Sequence, residues 1–229
     1  MSNAGADEST GYVSRTDRAQ LVGNQGMVVW FVGLSGAGKT TIVRNLELEL
    51  TRAGRLCYVF DGDIIRRGLS RDLGFSAEDR KENLRRSAET VKICADIGVA
   101  CLASFISPLS SDRAMICDII GPERFIEVFV KCPVEVCEQR DPKGLYRLAR
   151  EGVIKDFTGI SADFEAPDDP HLVLETSVFS VRECVDKVLA FLRFKQHGLI
   201  REFSAGESPR ATETVFMDLP QLPEELLKV

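Results

Sequence analysis

Eight residues, Gly33-Leu-Ser-Gly-Ala-Gly38-Lys39-Thr40, restrict the fold more than anything else in this chain. They follow the apolar run Met27–Val32 and open a stretch in which Ile42, Leu46 and Leu50 recur every four residues. A buried strand therefore passes through a tight turn into an amphipathic helix, which Gly54 ends. Three glycines leave room for backbone N–H groups to converge on phosphate oxygens with no Cβ in the way. The helix N-terminus adds unsatisfied donors and a positive dipole end. In the G-x-x-x-x-G-K-[ST] spacing, Lys39 supplies a point charge for β and γ phosphates, and the Thr40 hydroxyl a ligand for Mg²⁺. The expected ATP cradle is Gly33, Ser35, Gly36, Ala37, Gly38, Lys39, Thr40 and Thr41.

Beyond this loop, apolar strand-like runs alternate with helical ones. Leu56–Phe60, Val99–Phe105, Phe125–Val130 and Leu172–Leu174 read as further strands. Ser76 is placed as the N-cap of a long helix reaching about Ile97, with Asp79 as its capping-box partner, and Val181–Phe194 reads as a closing helix. The expectation is an α/β fold of the P-loop NTPase kinase type, a five-stranded parallel sheet flanked by helices. Residues 140–169 are charged and weakly periodic, which suggests a mobile lid. Arg140, Lys143, Arg147 and Arg150 would bring positive charge over transferring phosphates on closure. The catalytic domain is expected over 26–197. Residues 1–25 read as a flexible arm whose Met1-Ser2-Asn3-Ala4 is a cloning scar, and 198–229 as an extension or linker.

Composition narrows the partners. Among 229 residues, 29 lysines and arginines face 35 acids, a net charge of −6, which argues against a nucleic-acid binder relying on a broad basic face. No apolar run approaches the roughly 18 residues of a membrane span, and no signal-peptide core is present. Seven cysteines at irregular spacing read as thiols of a reducing compartment rather than zinc ligands. A cytoplasmic location is expected, with organellar and nuclear ones left open.

No guanine-reading N-K-x-D is present, and the third strand ends in Ser104-Phe105 instead of the usual acid. The acids close the second strand instead. If Asp61 and Asp63 lie in an extended segment they point the same way, toward the strand ends where ligands bind. That suits a small-molecule kinase, in which a carboxylate must meet an acceptor hydroxyl. Arg80 and Asn83, three apart, would share one helix face, and Arg66 offers a planar fork to an anion.

Several segments in order, spanning about residues 27–195, resemble the adenylyl-sulfate kinases. They are Gly33–Thr41, Asp61-Gly-Asp63 with Arg66, Leu73-Gly-Phe75-Ser-x-x-Asp79-Arg80-x-x-Asn83, Phe105-Ile106-Ser107-Pro108, Cys137-Glu-Gln-Arg140-Asp-x-Lys143-Gly-Leu-Tyr146 and Phe157-Thr-Gly159. The resemblance implies transfer of the γ-phosphate of ATP to the 3′-hydroxyl of adenosine 5′-phosphosulfate, with Mg²⁺, by a homodimer. By the same resemblance Arg66, Arg80, Asn83, Ile106 and Lys143 contact the acceptor, and Phe75 and Phe157 clamp its adenine. Ser107 matches a serine phosphorylated in some members, although a serine before proline also reads as a turn residue. Arg140 and Phe179 are assigned to the ATP side, Asp63 to the acceptor hydroxyl, and Asp61 with Thr40 to the metal. Plant relatives carry a regulatory disulfide near Cys57, but no cysteine precedes it here. The tail from about 198 resembles a linker toward an ATP sulfurylase, fused or associated. Another small-molecule P-loop kinase and a non-catalytic nucleotide sensor of a sulfurylase complex stay open. An acceptor panel separates the first, and binding without turnover identifies the second.

Overall fold

The computed structural model describes the backbone of residues 13–203 and the side chains of residues 13–193. The elements run α1 (Arg15–Val22), β1 (Met27–Val32), α2 (Lys39–Arg52), β2 (Cys57–Asp61), α3 (Gly62–Arg67), α4 (Ala77–Asp96) and β3 (Ala100–Ser104). They continue with α5 (Ser110–Ile120), β4 (Phe125–Lys131), α6 (Val134–Arg140), α7 (Leu145–Arg150), β5 (Leu172–Glu175) and α8 (Val181–Phe203). All strand pairs are parallel, in the order β2-β3-β1-β4-β5. The expected sheet is therefore present.

β1 is central and covered on both faces. Val29 and Phe31 join the cluster built with Ile42, Val43 and Leu46 of α2 and Val185 and Val188 of α8. Val28, Trp30 and Val32 join the opposite cluster with Leu84, Ala88 and Val91 of α4 and Ile116 and Ile120 of α5. Two covered faces explain why β1 reads as a continuous apolar run. The order places β1 between β3 and β4, so the loop leaving it opens at the carboxyl end of the sheet, where the strand order reverses.

Several expectations change. Part of the presumed arm is helical: Ser14 and Asp17 form a capping box for α1, and Gly23 closes it with φ 67°. Asn24 then pins the chain, its amide donating to the Leu56 and Gly98 carbonyls at 3.1 and 2.8 Å. This short polar helix buries no residue of its own, so it carries no apolar period to read. α5 was hidden for another reason: its inner face carries Asp112 and Arg113 beside Ile116 and Ile120, and charge masks the period. α8 continues to Phe203, so the boundary placed at 197/198 falls inside a helix. Asp79 forms half a capping box. The Ser76 hydroxyl accepts the Asp79 N–H, but the Asp79 carboxylate accepts from Gly74 instead of Ser76. Residues 1–4, expected to be a cloning scar, and the tail beyond 203 lie outside the described residues.

α4 and the entry to β1 meet backbone to backbone. A Cβ on Gly26 would fall 1.8 Å from the Ala95 carbonyl oxygen. Gly26→Ala is expected to destabilise the fold by about 1–3 kcal/mol, the usual cost of forcing atoms into a packed contact. Urea denaturation checks this, as a lower midpoint with an unchanged m-value.

Candidate active site

The glycine-rich loop occupies the mouth above β1. Its lysine is folded inward: the Lys39 ammonium donates to the Gly33 and Leu34 carbonyls, both at 2.8 Å. Burial pulls the Lys39 pKa down to about 8; Lys143 adds to this, while Cys137, Asp61 and Asp63 oppose it. The remaining loop carbonyls are held as well. Tyr146 Oη donates to Ser35 O at 2.9 Å, and Thr176 Oγ1 to Ala37 O at 2.7 Å. Arg140 reaches Gly36 O at 3.4 Å and the Thr176 carbonyl at 2.6 Å. Arg140, placed in the lid by its sequence, is thus the last residue of α6 and lies against the loop.

The paired acids do not share an extended segment. Asp61 ends β2 and N-caps α3, accepting the Asp63 N–H at 2.9 Å, while Asp63 stands in the first helical turn. The chain turns between them, so they serve different places. Asp61 is buried and accepts the Thr40 hydroxyl at 2.8 Å. Asp63 is exposed and forms an ion pair with Lys143. A hydroxyl and a carboxylate side by side are hard oxygen donors, and this pair fits Mg²⁺, which takes few protein ligands and completes its shell with phosphate and water.

Away from the glycine-rich loop, Arg80 joins two further loops. Its guanidinium donates to Phe75 O (2.9 Å), Asp156 O (2.6 Å) and Thr158 Oγ1 (3.4 Å). Arg66 donates to Gly74 O at 2.7 Å and sits 4.5 Å from the centroid of the exposed Phe75 ring. Burial lowers the Arg66 pKa, and the nearby charge of Arg80 lowers it further. Two like charges held this close favour an anion between them. Asn83 is buried with its amide oxygen unpaired, a group that a ligand can satisfy.

Other expected residues stand elsewhere. Phe157 is buried edge-on against Tyr146, centroids 4.9 Å apart, so of the proposed aromatic clamp only Phe75 shows an open face. Ser107 is enclosed at φ 44°: its hydroxyl accepts from Trp30 Nε1 at 2.9 Å and its carbonyl from Arg113. That engagement sets it behind the cleft, whereas its neighbour Ile106 is half-buried. One face of Phe179 is covered by the Lys187 ammonium, 3.0 Å from the ring centroid. Arg150 pairs with Glu138 instead of facing the loop. Tyr146, Thr158 and Thr176 were given no role by the sequence. For Thr176 the available signal was its place one residue past β5, at the ligand-binding end of the sheet.

A glycine-rich loop cradled at the head of a parallel sheet, with its lysine, an acid–hydroxyl pair and a separate cluster of arginines, defines a P-loop phosphotransferase. The adenylylsulphate kinase family model matches residues 25–175. The chain is 49% identical over 183 residues to an adenylyl-sulfate kinase of Clostridium kluyveri, covering 80% of this chain and 92% of that protein. It is 51% identical over 177 residues to one of Bacteroides fragilis, covering 77% and 88%. The solved Mycobacterium tuberculosis APS kinase CysC in complex with AMPPNP and APS superposes with a TM-score of 0.72 at 42% identity, covering 74% of this chain and 99% of that one. The chain belongs to the adenylylsulphate kinase family and is an ATP-dependent kinase of that kind.

The Asp63–Lys143 pair joins the 140–169 segment to α3, and both side chains are more than half exposed. Such a pair is worth about 0.2–1 kcal/mol and is screened by salt. Lys143→Ala is expected to speed hydrogen exchange of amides in 143–150 by about 1.5- to 5-fold, with β1 and β3 unchanged. Raising the salt concentration should do the same to the parent protein and nothing further to the variant.

Proposed function

We propose a division of labour for the reaction of this chain, transfer of the γ-phosphate of ATP to the 3′-hydroxyl of adenosine 5′-phosphosulfate. The loop Gly33–Thr41 holds the triphosphate through its N–H groups and the N-terminus of α2. Lys39 exchanges its carbonyl contacts for the β and γ phosphates, and Arg140 and Phe179 border the nucleotide. Thr40 and Asp61 would hold Mg²⁺, which when bound neutralises charge on the β and γ phosphates. Arg66, Arg80, Asn83, Phe75, Ile106 and Lys143 form the acceptor side, with Ser107 supporting it from behind.

Asp63 accepts the 3′-hydroxyl proton or aligns the hydroxyl. The 3′-oxygen bonds to the γ-phosphorus as the bond to the β,γ-bridging oxygen breaks, and ADP leaves. The separation of the two acids carries this assignment: Asp61 is committed to Thr40, whereas Asp63 is exposed beside the acceptor cluster. In the same reading the working assembly is a homodimer. Tyr58, exposed on edge strand β2, and Leu56, exposed just before it, support self-association. An ATP sulfurylase, fused or separate, supplies the acceptor in a cytoplasmic setting. Among the described residues no helix is long and apolar enough to cross a membrane.

Asp63→Asn keeps the shape and removes the charge. It is expected to cut kcat by about 10²–10⁴-fold in a coupled ADP-release assay, with KM for ATP unchanged. Asp61→Asn should instead raise the Mg²⁺ concentration needed for half-maximal rate. Near-normal kcat in the first variant and loss in the second would exchange the two roles. For the acceptor side, Arg80→Ala and Asn83→Ala are each expected to raise KM for adenosine 5′-phosphosulfate about 10- to 150-fold at near-constant KM for ATP, the scale of a lost charge-assisted contact. A selective loss of ATP affinity would reassign this helix.

A further inference from the structure

From Gly33 to Ala37 five successive backbone carbonyls are each held by a side chain: Lys39 on Gly33 and Leu34, Tyr146 on Ser35, Arg140 on Gly36 and Thr176 on Ala37. In a trans peptide the carbonyl of one residue and the N–H of the next point in opposite directions. Anchoring Ser35 O therefore aims the Gly36 N–H, and anchoring Ala37 O aims the Gly38 N–H, away from the anchors and toward the cleft. Gly36 and Gly38 sit at φ 75° and 99°, and glycine's wide conformational range gives their peptides little resistance to reorientation. Their direction has to be imposed from outside.

The four anchoring side chains are not equivalent. Lys39 and Arg140 are cations that an arriving triphosphate draws toward itself, so their hold on the carbonyls weakens at the moment of binding. Tyr146 and Thr176 carry neutral hydroxyls and keep theirs. Both are fixed from behind. Tyr146 is buried, with its ring against Phe157, and the Thr176 N–H donates to Lys131 O at 3.1 Å, continuing the β4–β5 ladder. We propose that Tyr146 and Thr176 are positioning residues for ATP, holding the Ser35 and Ala37 carbonyls so that the following N–H groups stay directed at the triphosphate. This rests on the reading that the loop binds ATP. It also ties the cradle to the lid, since Tyr146 lies three residues beyond Lys143, the partner of Asp63.

The test uses Tyr146→Phe and Thr176→Val, which remove only the hydroxyl or exchange it for a methyl, and Thr176→Ser, which restores the donor. Steady-state kinetics with both substrates and equilibrium binding of adenylyl imidodiphosphate are measured on the full chain, with Lys39→Ala in the same series. Tyr146→Phe and Thr176→Val are each expected to raise KM for ATP and the Kd of the analogue about 5- to 50-fold, the scale of a buried carbonyl left without its donor. KM for adenosine 5′-phosphosulfate should stay within about twofold, and Thr176→Ser should return ATP binding to near the parent value. Should the valine variant not fold, Tyr146→Phe and the serine variant carry the test. Unchanged ATP parameters, equal loss for both substrates, or a serine variant no better than valine overturns the proposal while Lys39→Ala is inactive. A Lys39→Ala variant with full turnover would overturn the loop's assignment, and this inference with it.

Discussion

Strand β1 leaves neither face to water, and the site follows from that. Val28 to Val32 are each fully buried, shared between a layer of α2 and α8 and a layer of α4 and α5. Burial of this kind stabilises by about 1.5–3 kcal/mol per large apolar side chain before entropy is counted. It also fixes where the chain must emerge. With β3 and β4 hydrogen-bonded on either side, the end of β1 opens at the reversal point of the sheet, and Gly33 begins the loop there. Gly33 itself has no space for a side chain: a Cβ would lie 2.5 Å from the Val130 carbonyl oxygen. The phosphate loop is thus seated on its neighbouring strand.

Electrostatics then separates two regions within one cleft. On the nucleotide side a desolvated lysine is surrounded by carbonyls, a local arrangement that an anion readily displaces. Away from the loop Arg66 and Arg80 are held close while their hydrogen bonds go mostly to backbone carbonyls. Among the described residues neither arginine forms a salt bridge with a carboxylate, so their charge is available to a bound anion. Asp63 and Lys143 stand between these regions, and their exposed pair is weak enough to yield to substrate.

The family resemblance and the sheet were legible for different reasons. Strands buried on both faces and the glycine spacing are local patterns, and β1 and α2 lie where the sequence placed them. The orientation of the acids was not legible. Asp61-Gly62-Asp63 reads as extended, yet the Asp61 carboxylate caps α3 and turns Asp63 into a helix. Phe157 shows the same limit: an aromatic in a charged loop suggests a ligand contact, but packing against Tyr146 takes it inside. Ser107 followed too, once Trp30 closed over its hydroxyl. The Asp61 cap is local, two residues from Asp63, and breaks the extended pattern that spacing alone suggests, whereas Ser107 is set by Trp30, 77 residues away, a partner of which spacing carries no record.

What the sequence by itself determined was the loop, its strand and helix, the alternation that builds a parallel sheet, and the set of residue types needed for phosphoryl transfer. Those properties rest on backbone geometry and hydrophobic period, which act over a few residues. Only the tertiary structure decided where in the cleft each group lies. Tyr146 and Thr176 reach the loop across separations of 111 and 139 residues, and Arg80 reaches Thr158 across 78. Contacts that long require the folded sheet, because its parallel packing brings the carboxyl ends of β1, β3 and β5 to one edge.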